Sequence, residues 1–78
     1  MRKSHQEQQR FQHFWREVVY QAVRDLMLKD EATPLERRNA REWVFADADG
    51  PASFVWACVV AGLDPEAVRK ELRDRGIE

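Results

Sequence analysis

Residues 53–72 read SFVWACVVAGLDPEAVRKEL, and their punctuation decides the fold. Phe54 to Ala61 is an unbroken apolar run whose β-branched members would suit a buried strand as well as a buried helix, since periodicity alone does not separate the two. Three features choose the helix: Ser53 is a good N-cap, Gly62 is a natural stop, and no other segment of the chain offers a strand to pair with. Leu63 is the hydrophobic residue that often follows such a stop. Asp64-Pro65-Glu66 then opens another helix, with Asp64 as cap, Pro65 at the first position where its missing N–H costs nothing, and the acids at the positive end of the dipole. A helix-turn-helix needs a small residue where its helices cross, a glycine with positive φ in the turn, and apolar residues that lock the second helix down. Cys58, four residues before Gly62, supplies the crossing residue. Ala57 and Ala61 lie on the inner face and Val68 is the expected lock. Glu71 stands where a branched aliphatic is usual, so Leu72 has to serve from the next position. The pair is assigned to residues 53–75.

Outward from this segment the caps continue. Thr33-Pro34-Leu35-Glu36 is a capping box with proline at the first helical position, and the helix it starts carries Leu35, Asn39, Ala40, Trp43 and Val44 on one side and ends near Phe45. Residues 46–52, with Gly50-Pro51, form an exposed loop. Near the start, Ser4 and Glu7 fit another capping box, placing a helix from about His5 to Leu28. Along it Phe11, Phe14, Trp15, Val18, Val19, Ala22, Leu26 and Met27 recur at three- and four-residue steps, with Tyr20 and Val23 beside the stripe. Ala67, Val68 and Leu72 are the inner face of the last helix, and Gly76-Ile77 closes it. The expectation is one all-α domain over residues 1–78: a long N-terminal helix packed on a three-helix unit that ends in a helix-turn-helix-like pair.

Composition narrows the chemistry. The 78 residues contain 13 Lys+Arg, 14 Asp+Glu, two His and one Cys. Cys58 alone cannot close an intramolecular disulfide, and with His5 and His13 it does not reach the usual ligand count of a zinc site. The Asp47-Ala48-Asp49-Gly50 loop fails as a calcium loop: with Gly50 sixth, the first and twelfth positions are Phe45 and Trp56, neither of which has a carboxylate. There is no glycine-rich phosphate loop, and Cys58 lacks an orienting partner for nucleophilic work, so neither an enzyme nor a cofactor is expected. No apolar run approaches the ~18 residues of a membrane span and no signal-peptide core is present, so the expected location is cytoplasmic and away from membranes. Trp15, Trp43 and Trp56 are expected in the core, which a domain this small needs.

Ala40 to Trp43, the short acidic loop, Ser53-Phe54, Trp56, Cys58, Gly62-Leu63-Asp64-Pro65 and Val68-Arg69 resemble a group of small, mostly uncharacterised proteins encoded by bacteriophages and prophages. The resemblance covers residues 40–73. It implies a helix-turn-helix-like fold, a phage or prophage setting and a DNA- or transcription-linked role, and it carries no site residues.

From the residues themselves, the outward face of the last helix offers Arg69, Lys70 and Arg73 to double-stranded DNA, with Arg75 beyond. Arg37, Arg38 and Arg41 could add backbone contacts from the second helix. Charge argues the other way. Residues 1–43 carry nine basic and seven acidic side chains, whereas residues 44–78, which hold the recognition pair, carry four and seven; a net acidic reader is a poor partner for phosphate. The leading expectation is a small phage-type DNA-binding or transcription-regulating protein, dimeric through its first helix. The alternative is a protein-protein interaction module that binds a host or phage protein and never touches DNA.

Overall fold

The computed structural model describes the backbone of residues 2–28 and 30–77, with side chains for residues 9–28 and 30–77. The chain runs α1 (Arg2–Met27), α2 (Pro34–Phe45), α3 (Phe54–Ala61) and α4 (Pro65–Asp74), with no strand among the described residues. α1 begins at Arg2 rather than near His5, so Ser4 lies inside its first turn and not at a cap; the side chains of Ser4, His5 and Glu7 lie outside the described ones.

The caps set the boundaries of the other three helices. The Thr33 hydroxyl accepts from the Glu36 N–H while the Glu36 carboxylate accepts from the Thr33 N–H, both at 3.1 Å; that backbone N–H, and to a lesser extent the neighbouring Thr33 hydroxyl, hold the Glu36 carboxyl below its usual range. Ser53 Oγ accepts from Trp56 N–H at 3.2 Å and Asp64 Oδ1 from Glu66 N–H at 3.0 Å. Between them, Gly62 adopts φ 76°, which lets the Leu63 N–H reach back to the Cys58 carbonyl at 2.7 Å and ends α3. Three residues therefore separate α3 from α4, a turn of helix-turn-helix length.

α1 is the spine. It packs chiefly on α3 and α2, and the buried set joins Val19, Ala22 and Leu26 of α1, Ala40 and Val44 of α2, Phe54, Ala57 and Cys58 of α3, and Leu72 of α4. Each of the large members contributes roughly 1.5–3 kcal/mol by leaving water. Ala57, Cys58 and Ala61 have no exposed surface, so the small residues do bring α3 close to its neighbours.

Several apolar expectations are corrected. Ala67, expected on the inner face of α4, is exposed, because α4 is anchored one turn later. Val59 is 66% exposed, because α3 is apolar all round and its neighbours leave one side open. Leu35 is 63% exposed, since it lies in the first turn of α2 and its neighbours there do not cover it. Phe11 and Phe14 are about half exposed: α3 and α2 contact α1 without enclosing these ends of its stripe. Val68, the expected lock, is only partly buried. Leu72, 1% exposed, anchors α4 instead.

The tryptophans line the core margin rather than its centre. Trp15 and Trp56 meet edge to face at 4.8 Å, with Phe11 against Trp56 and Phe14 against Trp15. Trp43 stands edge-on to Phe54 at 5.5 Å and donates its indole N–H to the Ala52 carbonyl at 3.0 Å, tying the 46–52 loop to α2.

Candidate interaction surfaces

α2 ends at Ala46 with extended backbone and no left-handed residue to turn its N–H groups back onto the helix. Its last carbonyls therefore need donors from elsewhere. Arg69 provides them. From α4 its Nε donates to the Val44 carbonyl at 2.8 Å and its Nη2 to the Ala46 carbonyl at 2.9 Å, while Nη1 meets Glu66 at 3.0 Å and the guanidinium lies 5.3 Å from the centre of the Phe54 ring. The side chain is 12% exposed. Arg69 thus does not point outward, as its helical position suggested; it is an internal tie between α4, α2 and α3. Arg16 does similar work on α1, donating to the Ala61 carbonyl at the end of α3 at 2.8 Å.

The other cations of α4 and its C-cap are exposed but engaged. Lys70 pairs with Asp74 at 3.6 Å, Arg75 with Glu71 at 3.1 Å, and the Arg73 guanidinium lies 5.5 Å from the centre of the Phe45 ring. Arg37, Arg38 and Arg41 do not join Arg69, Lys70 and Arg73 in a shared pocket. They converge with Arg75, Leu26, Pro34 and Ile77 on a recess between the start of α2 and the end of α4. Arg38 is held by Glu42 at 3.3 Å. Arg41 has no hydrogen-bond or ion-pair partner among the described residues, and the Nε of Arg37 is buried and unpartnered there.

A second concavity runs between α1 and α2, with a volume of about 590 Å³. Phe14, Val18, Ala22, Ala40 and Trp43 form its apolar lining; Glu17, Asp25 and Glu36 add carboxylates, Gln21 and Asn39 add amides, and no cationic side chain among the described residues lines it. Gln21 donates to Asp25 at 2.9 Å. Phe14, 57% exposed, and Glu17 extend the surface toward Arg10 and His13. The spacing 14, 17, 18, 21, 25 along α1 was legible as one helix face, but its acidic border acquires meaning only when Glu36 arrives from α2.

Cys58 is fully buried in α3, and desolvation pushes its thiol up to about 11. No helix among the described residues is long and apolar enough to cross a membrane. Compared with protein-family models, curated proteins and solved structures, the chain matches none of them.

Proposed function

We propose that this chain is a protein-protein interaction module that seats a basic amphipathic helix of a partner in the groove between α1 and α2. The observation that carries the reading is the groove's composition: an apolar floor open to solvent, bordered by Glu17, Asp25 and Glu36 and, among the described residues, by no cation of its own. A partner helix would bury its apolar stripe on Phe14, Val18 and Trp43 while Lys or Arg at its flanks met the carboxylates. A second copy of α1 fits less well, because it would bring Glu17 and Asp25 against the same acids.

The test uses synthetic helices of about 15 residues, near the length at which helicity is marginal in water, that share one apolar face and differ only in Lys or Glu flanks. The Lys-flanked peptide binds saturably, and Phe14→Ser or the pair Glu17→Lys and Asp25→Lys abolishes binding in a folded protein. Equal binding of both peptides, or of neither, overturns the reading.

A second reading, DNA binding and transcription regulation in the phage setting that the sequence resemblance implies, is favoured by the α3–turn–α4 pair and by the exposed Lys70. It predicts retention of duplex DNA that weakens steeply with salt and with Lys70→Ala, and a dimer through α1 would help it span two half-sites.

A further inference from the structure

We infer that the recess between the start of α2 and the end of α4 is a binding site for a phosphate-class oxyanion. This goes beyond the groove reading and does not depend on it. Arg37, Arg38, Arg41 and Arg75 line the recess, whose volume is about 310 Å³, together with Leu26, Pro34 and Ile77. Four guanidinium groups repel one another unless anions compensate them. Glu42 and Glu71 compensate Arg38 and Arg75. Arg37 and Arg41 remain uncompensated among the described residues, and the buried Nε–H of Arg37 has no acceptor there.

A buried guanidinium donor without an acceptor loses the hydrogen bond it made to water, and the Arg37 Nε–H, with almost no accessible surface, gains an acceptor when its guanidinium turns toward an anion in the recess. Two positive charges match the dianion of a phosphate monoester or of inorganic phosphate. Arg37 and Arg41 stand one turn apart on α2, so two planar guanidinium groups line one side of the recess and can donate together to a tetrahedral oxyanion, which accepts from several directions at once. The aliphatic walls supplied by Leu26, Pro34 and Ile77 lower the local dielectric and strengthen each contact. The shared chemistry is the phosphoryl oxygen, and its source is either a free phosphate or monoester, or the backbone of a nucleic acid.

The experiment follows the arginine Nε–H resonances of the full chain by NMR while inorganic phosphate is added at constant ionic strength, with chloride as the matched control. Saturable shifts at Arg37 and Arg41 with phosphate and not with chloride are expected. Arg41→Gln, at an exposed position, and Arg37→Gln each weaken phosphate binding by about tenfold or more, the loss of one charge-assisted contact. Lys70→Gln leaves it unchanged. Circular dichroism melts check the fold, and Arg41→Gln alone suffices if Arg37→Gln does not fold. A blunt duplex without terminal phosphates distinguishes the sources: shifts of the same resonances, competed by phosphate, assign the site to a nucleic-acid backbone, and silence assigns it to a free phosphate or monoester. Equal shifts with chloride, or phosphate binding indifferent to both substitutions, overturn the site.

Discussion

Replacing Arg69 with Ala removes two hydrogen bonds from a charged donor to the Val44 and Ala46 carbonyls. Such bonds are worth about 1.5–3 kcal/mol each, and a buried carbonyl left without a donor costs about 1–3 kcal/mol. The two figures describe the same loss from opposite sides and are not summed. The Glu66 partner is 70% exposed, so its ion pair adds under about 1 kcal/mol, and the contact with Phe54 adds about 0.5–1 kcal/mol. Water reaching the end of α2 offsets part of this, leaving an expected destabilisation of about 2–4 kcal/mol. For a domain of this size that lowers the melting temperature by roughly 10–25 °C. Thermal melts by circular dichroism measure it, and a double-mutant cycle identifies its source. If the carbonyls dominate, Arg69→Ala costs nearly the same in a Glu66→Ala background, with a coupling below about 1 kcal/mol. Arg69→Lys should recover only part of the loss, because one ammonium lacks the fork that serves two acceptors. A melting temperature within about 2 °C of the parent would refute the internal tie.

Three further outcomes follow from the packing. Leu72→Ala should cost about 2–4 kcal/mol and Val68→Ala distinctly less in chemical denaturation, because Leu72 is fully buried and Val68 is not; the reverse order would mean that α4 is anchored through Val68. Ala52 sits at φ 68° in a turn closed by the Ser53 N–H on the Gly50 carbonyl, so Ala52→Gly relieves about 1 kcal/mol of strain against a smaller entropic cost and should raise the melting temperature slightly. The Cys58 thiol, pushed above its ordinary value of 9.0 to about 11, keeps its contribution below pH 9. Between pH 9 and 11 the unfolded chain loses that proton first, so stability falls by up to about 1.4 kcal/mol per pH unit. Cys58→Ala should lose this alkaline limb, and an unchanged pH profile would count against a buried thiol.

What was legible in the sequence was what is held by near neighbours. Thr33 with Glu36, Ser53 with Trp56, Asp64 with Glu66 and Gly62 with Cys58 all act within five residues, so residue types at fixed offsets suffice to place α2, α3 and α4. Exposure is different in kind. Val59 and Ala57 are both apolar residues of one eight-residue helix, yet one is 66% exposed and the other fully buried; the difference is where α1, α2 and α4 happen to lie. Arg69 was misplaced for the same reason, since its acceptors lie 23 and 25 residues away. One local clue existed. Phe45-Ala46 offers no glycine to close α2, and a helix that ends so leaves carbonyls waiting for a distant donor.

The arginines consequently divide by what they touch rather than by how they look in the sequence, and this governs how any functional mutagenesis is read. Arg16 and Arg69 satisfy the C-terminal carbonyls of α3 and α2, where a cation also meets the negative end of the helix dipole. Arg38 and Arg75 are exposed and paired within their own helical segments. Arg37 and Arg41 combine a place in the recess between α2 and α4 with the absence of a partner among the described residues. Loss of DNA retention in Arg69→Ala would therefore report a damaged fold and say nothing about recognition. Lys70→Ala, which breaks only an exposed pair with Asp74, tests α4 as a reader, and Arg41→Gln tests the recess. Glu17→Lys with Asp25→Lys tests the groove. Each of these changes alters charge at the surface, and a result that moves one function while the melting temperature stays fixed separates the three surfaces from one another.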